Sequence, residues 1–293
     1  AGLGLAALPA PPAASAPILQ VGRAHGDFAP TLEGGPVFIL ILGSDARPGT
    51  PMERGLCDSI HILGIDPEAR RATLVGIPRD AYVPLSTGGS NKINAAMPQG
   101  GPEGMVATVE QLTGITFDYW ALTSFQGITR MISALGGLEV DLPYGFEGHL
   151  GTDFAEGTGR LTGDEVLEFS RTRKALSHGD FDRSMNQGRI LLAALEQFRA
   201  EFERDPSALF RWIGAGMRNV ETDVPLQELL TLAFTAVDLP TKRVTNVVAV
   251  GSIGSVGSIS VVNLPDPHPI FEDVAADGFV KPKDIPAEAQ PEG

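Results

Sequence analysis

The sequence predicts an α/β fold, a mixed central sheet with helices on both faces, and three observations carry that prediction. The run Val37–Gly43 is uninterrupted and apolar and ends in glycine, as a buried central strand does. Two further strand-like runs, Ser59–Asp66 and Arg71–Ile77, are separated only by Pro67-Glu68-Ala69-Arg70, the spacing of a hairpin. Beyond them, segments of helical periodicity alternate with short strand-like ones.

The remaining elements follow in order. Glu103–Leu112 and Phe125–Leu135 carry apolar residues at helical spacing, and Gly136-Gly137 stops the second before a short strand, Leu138–Leu142. Thr162-Gly163-Asp164-Glu165 is a capping box opening a short helix, Gly163–Phe169. A long helix from about Arg183 to Arg204 presents Leu191, Leu195, Phe198 and Phe202 as one stripe. Helices near Ser207–Asn219 and Leu226–Val237, then strands Val244–Val250 and Ile259–Asn263, complete the pattern. Residues 1–36 read as an Ala/Pro-biased linker, 37–281 as one domain, and 282–293 as a polar tail.

Of the 293 residues, 43% are hydrophobic, enough for a packed core and too many for a disordered chain. The net charge of −14 argues against nucleic acid as a partner, although a few clustered arginines still bind an anion in one cleft. The single cysteine, Cys57, excludes an intrachain disulfide and a Cys-rich metal site. There is no apolar run of membrane-spanning length, and the chain begins without Met, so an upstream segment, such as a membrane anchor, is expected to have been removed.

Polar groups recur where apolar elements end, the places where α/β folds put chemistry. The first strand runs into Asp45 and the second begins after Asp58. If those strands are neighbours, the two carboxylates face one hard cation, for which Mg2+ is suited; otherwise each is a turn or cap aspartate. Arg171 and Arg173, two apart in an extended segment, point the same way. Arg183 and Gln187 share a helix face one turn apart, near an N-terminus that favours anions. Guanidinium forks around one cleft fit a pyrophosphate; surface pairing with the abundant acids is the other reading. His61 lies in a strand and reads as a satisfied core residue, and no HExxH, GxSxG or P-loop motif is present.

The pieces GSDAR, CDSIHILGIDPEARRATLVGIPRD, NKINAAMPQGGPEGMVATVEQLTGI and DYWALTSFQGITRMISALGGLEVDLP, followed by RLTGDEVLEFSRTR and GDFDRSMNQGRIL, resemble in order and spacing the LytR-CpsA-Psr family. The resemblance covers about Val37 to Arg199. It implies a three-layer α/β/α sandwich with an apolar lipid-binding pocket. It also implies Mg2+-assisted transfer of a glycopolymer from a polyprenyl-pyrophosphate carrier to peptidoglycan, outside the bacterial cell membrane. Carried over by position, Asp45 and Asp58 match metal and catalytic aspartates, and Arg79 a pyrophosphate-binding arginine. Arg171, Arg173 and Arg183 match further arginines, Gln187 a glutamine, and Lys92 the lysine of a KINA motif.

Two positions depart from the family pattern. Asn186 stands where a second arginine is usual, and Leu56-Cys57 where Arg-Ser often precedes the second aspartate. Arg54 and Arg189 are the candidates to compensate. The departures keep open a non-catalytic polyprenyl-phosphate binder and a polyprenyl-pyrophosphate pyrophosphatase beside the transferase.

Overall fold

Seven segments pair into one central sheet in this computed structural model, which describes residues 17–25, 35–173, 176–217, 220–281 and 285. They are β1 (Leu19–Arg23), β2 (Val37–Ser44), β3 (Cys57–Asp66), β4 (Arg71–Gly76), β5 (Tyr119–Ser124), β6 (Val220–Thr222) and β7 (Val244–Val248), in the order β6-β1-β5-β2-β3-β4-β7. The apolar run is the middle strand, as its composition predicts. β2 is antiparallel to β3 and parallel to β5, and β3 and β4 form the expected hairpin. β1 runs antiparallel to β5, while β6 and β7 add parallel edges, so the sheet is mixed.

Alternation along β2 divides the core. Phe38, Leu40 and Leu42 pack with Met105, Val106 and Val109 of α1 (Ala96–Thr113) and with Phe271 and Val274 of α7 (Pro269–Asp277). Val37 and Ile39 pack on the opposite face with Tyr119 and with Leu229 and Leu232 of α6 (Leu226–Asp238). That second face also carries α4 (Asp180–Arg204), against which α5 (Ala208–Met217) packs. Leu40 and Leu42 are almost wholly buried, and each contributes about 1.5–3 kcal/mol of apolar transfer energy. A smaller core joins α2 (Phe125–Ala134), α3 (Gly163–Arg171) and α4 through Ile132, Phe169 and Ile190. A separate hairpin, β8 (Ser252–Val256) with β9 (Ile259–Asn263), follows β7.

Several expectations need correction. Leu19–Arg23 lies within the stretch read as linker, yet it is a paired strand with Leu19 and Val21 on one face; its partners lie 96 or more residues away, so no local signal marks it. Residues 1–16 and 26–34 lie outside the described residues, as does the tail 282–293 apart from Ile285, which packs partly against the main core. β5 was not expected, because Tyr119 and Leu122 are buried without period-two alternation. α4 begins at Asp180, three residues before Arg183. Helical structure before Glu103 starts at Ala96 and kinks at Gly101, whose φ of 65° suits glycine, with Pro102 opening the straight part. The capping box forms in full: Thr162 Oγ1 accepts from Glu165 N at 3.3 Å, and Glu165 Oε2 from Thr162 N at 2.7 Å.

Candidate functional site

The segments carrying the predicted polar groups meet at one end of the sheet. β2 leads out to Asp45, β3 starts beside Asp58, β4 leads into Arg79, and β5 runs into Phe125. Against them lie the C-terminal end of α3 and the first turns of α4. A cavity of about 180 Å³ there is lined by Asp58, Arg79, Phe125, Ser170, Arg171, Arg173, Arg183 and Gln187. Six of the eight sequence-predicted residues thus converge, from positions up to 129 apart in the chain.

Local structure explains the convergence. The β2–β3 register shifts between Gly43 and Ser44, and Ser44 Oγ donates to Met52 O at 2.6 Å, folding the following loop back on itself. A Cβ on Gly55 would sit 2.5 Å from Ala46 N, so glycine permits this close return. The loop holds Asp45 from both sides: its N–H donates to Leu56 O at 2.9 Å, and its Oδ1 accepts from Leu56 N at 2.7 Å. Gly76 admits α4 to the sheet, since a Cβ there would lie 2.3 Å from Ser184 Oγ. Thr172 is extended and buried, with its hydroxyl donating to Glu168 O at 2.9 Å; its neighbours Arg171 and Arg173 are therefore both turned outward, to the cavity. Arg171 also lies over the Phe125 ring, 4.6 Å from its centroid. Gln187 Nε2 donates to Ser170 O at 3.1 Å and Asp58 O at 3.3 Å, joining α3, α4 and β3.

The charges lining the cavity are incompletely paired with one another. Arg79 Nη1 donates to Asp58 Oδ2 at 2.6 Å, while Arg79 Nε and Asp58 Oδ1 are buried without a hydrogen-bond partner. Burial alone would lower the Arg79 pKa, but the Asp58 charge and hydrogen bond hold it above the ordinary value. Arg183 Nη2 approaches Asp180 Oδ1 at 2.5 Å, yet both Asp180 oxygens and Arg183 Nε lack a hydrogen bond. Burial raises the Asp180 pKa and lowers that of Arg183, against their mutual attraction; nearby Asp80 adds to the first shift and Arg79 to the second. Such unsatisfied buried donors and acceptors are costly unless other groups engage them.

The cation expected between Asp45 and Asp58 fits these residues. Burial raises the Asp45 carboxyl pKa above the ordinary range, and the neighbouring Asp58 charge raises it further. With Asp58 Oδ1 unpartnered beside it, the pair is an oxygen-only, anionic donor set of the kind Mg2+ prefers. No group of three or more His, Cys, Asp or Glu that could hold a metal occurs among the described residues.

Not every expectation is met. Asp45 and Lys92 do not line the cavity: Asp45 is held in the loop by Leu56, and Lys92 Nζ pairs with Asp80 Oδ1 at 3.0 Å, one residue beyond Arg79. Neither Arg54 nor Arg189 lines the cavity in place of the missing arginine, and Arg189 Nη1 donates instead to Asn186 Oδ1 at 2.7 Å. Asn186 is packed at 1% exposure and Cys57 at 0%, while Leu56 faces solvent. The N-terminal turn of α4 already holds Asp180 and Asp182, so its dipole serves its own acids. His61 is the satisfied core residue expected, with Nδ1 3.2 Å from Ser59 Oγ and Nε2 3.1 Å from Ser184 O. Phe125, Ser170 and Asp180 were missed as site residues, although the acidic start of α4 was visible in the sequence.

A second cavity lies farther along the same helix. It measures about 330 Å³ and is bounded by apolar side chains, among them Leu19, Val21, Leu195, Phe198, Trp212 and Leu229. Gln187 of the first cavity and Ala194 of the second are seven residues apart, two turns of α4, so both open on one helix face about 10 Å apart.

The arginine-lined cavity and the apolar cavity thus belong to one α/β domain. The chain belongs to the LytR_cpsA_psr family, whose model matches residues 19–265 and so takes in β1. It is 36% identical over 165 residues to the polyisoprenyl-teichoic acid–peptidoglycan teichoic acid transferase TagU of Bacillus mycoides (strain KBAB4), covering 55% of this chain and 52% of that protein. To the transferase TagV of Bacillus subtilis (strain 168), of the same designation, it is 30% identical over 226 residues, covering 74% and 57%. The crystal structure of B. subtilis TagV superposes with a TM-score of 0.68 at 28% identity, over 84% of this chain and 96% of that one. The chain spans a little over half the length of these curated relatives.

Proposed function

We propose that this chain is a phosphotransferase that moves a glycopolymer from a polyprenyl-pyrophosphate carrier to peptidoglycan. The reaction is assigned to the extracytoplasmic face of the bacterial cell membrane, with Mg2+ as cofactor. One observation carries the reading: Arg79, Arg171, Arg173 and Arg183 line a single cavity, and α4 leads from it to an apolar cavity suited to a prenyl chain. A pyrophosphate linked to a hydrocarbon is the ligand that uses both. The names of the relatives supply the donor and acceptor classes.

In this reading the arginines clamp the pyrophosphate, with Arg79 and Arg183 forming the inner wall and the exposed Arg171 and Arg173 the mouth. An acceptor hydroxyl oxygen attacks the phosphorus bearing the glycan. Its proton passes to the Asp45–Asp58 carboxylate pair, the bond from phosphorus to the bridging oxygen breaks, and polyprenyl phosphate leaves with the electron pair. Mg2+ held by Asp45 and Asp58 would neutralise charge on the phosphate oxygens. The guanidinium groups stabilise the charge that grows on the leaving phosphate.

The test is transfer by the purified chain, with Mg2+, of a labelled glycan from a polyprenyl pyrophosphate to peptidoglycan. Asp58→Ala and Arg79→Ala are each expected to lower labelling by about 10²-fold or more. Bound lipid without turnover would replace this reading with a non-catalytic carrier, the alternative suggested by neutral Asn186. Glycan phosphate released equally fast without acceptor would replace it with a pyrophosphatase.

A further inference from the structure

Three exposed apolar projections are each hydrogen-bonded to a segment that carries or flanks a predicted site residue. The β8–β9 hairpin exposes Ile253 at 77%, Ile259 at 54% and Val256 at 42%. It is tied to the strand exit carrying Arg79, since Val262 N donates to Asp80 O at 2.9 Å. Leu150 is 77% exposed, and the adjacent His149 N donates to Thr172 Oγ1 at 3.3 Å, between Arg171 and Arg173. Leu56, 40% exposed, donates its N–H to Asp45.

The hairpin has a second property. Gly251–Asn263 contains no Asp, Glu, Lys or Arg, in a chain that is 20% charged and carries a net charge of −14. An uncharged tip on an acidic protein avoids both the cost of burying charge in lipid and repulsion from anionic headgroups. Serine and glycine between the apolar side chains suit the interface between water and hydrocarbon, where a short β-hairpin keeps its backbone bonds paired.

We propose that Ile253, Val256 and Ile259, with Leu150 and Leu56, form a membrane-contact rim that seats the cavity mouth on the bilayer surface. This rests on the reading that the donor is a membrane-borne polyprenyl pyrophosphate. The rim delivers the mouth to the depth of the headgroups, so the pyrophosphate reaches the arginines while the prenyl chain enters from the lipid side. Attachment is hydrophobic and shallow.

The experiment is co-sedimentation of the chain with vesicles of phosphatidylcholine, alone and mixed with phosphatidylglycerol, for wild type and Ile253→Ser/Ile259→Ser. Both positions are exposed, so folding is expected to survive, and circular dichroism checks it. The proposal expects wild-type partitioning that persists at high salt and falls about tenfold in the variant. It also expects a raised KM for donor presented in vesicles, with turnover of a short-prenyl, water-soluble donor unchanged. Equal partitioning of the two proteins, or none by wild type, overturns the rim. Concentration-dependent self-association of wild type that the variant loses, with vesicle binding unaltered, overturns it in favour of a second copy as occupant. Rim-dependent vesicle binding without any glycan transfer leaves the rim standing and removes the transferase reading.

Discussion

Arg79 donates to one oxygen of Asp58 at 2.6 Å, and the other oxygen of the same carboxylate is buried with no partner. The pair bridges the open end of the β3–β4 hairpin, where both residues line the cavity. Its incomplete satisfaction marks the place where a cation and a phosphate would add the missing partners.

Removing either member should therefore affect the reaction far more than the fold. Asp58→Asn and Arg79→Ala are each expected to lower kcat by about 10²–10³, the usual cost of one preorganised charge contact at a transition state. The double variant should be little worse than the poorer single one, because the residues act as a unit. Steady-state kinetics of the three proteins against wild type checks both statements.

Gln187 ties Asp58 O and Ser170 O together with one amide. Gln187→Ala leaves those carbonyls without that donor and should cost about 1–3 kcal/mol, read as a lowered Tm in thermal unfolding. Because the bridge positions Asp58 against α3 and does not itself touch phosphorus, Gln187→Glu should lower Tm as well, while Gln187→Asn leaves the amide too short to span both partners.

His61 makes stability depend on pH. Burial lowers its pKa from 6.5 to about 4, with Nε2–H donating to Ser184 O. The unfolded chain takes up a proton below about 6.5 while the folded chain resists until about 4. Stability is thus fully present above 6.5 and falls by about 3 kcal/mol as the pH drops to 4. His61→Gln should remove that slope from denaturant midpoints measured across the window, leaving the carboxylates to act at lower pH.

Filling the apolar cavity should separate lipid capture from anion binding. Ala194→Trp places a large ring where α4 meets Leu19 and Trp212. Polyprenyl phosphate carried through purification should fall about tenfold by mass spectrometry, while binding of inorganic pyrophosphate stays at the wild-type level.

Much of this was legible in the sequence where signals are local. The apolar run of β2, the Thr162–Glu165 capping box and the hairpin of β3 and β4 each follow from a few consecutive residues. The alternation that turns Arg171 and Arg173 to one side of Thr172 is local too. What was hidden depends on distant pairing. β1 exists because Leu19 and Val21 meet β5 and β6, and nothing in LQVGR requires a strand. Lys92 sits in a recognisable motif, but its place beside Asp80 is decided by how the Ser90–Lys92 strand returns along Tyr82–Pro84. Phe125 opens α2 as an ordinary first-turn residue, and only the approach of α3 turns its ring into a platform for Arg171.

The central claim is that arginines from three elements bind one lipid-linked diphosphate. Isothermal titration of a polyprenyl pyrophosphate into wild type and Arg171→Ala/Arg173→Ala tests it with no turnover required. The expected result is affinity about 10²-fold weaker in the variant, with the gap narrowing as salt is raised. Equal affinity at low salt would contradict it.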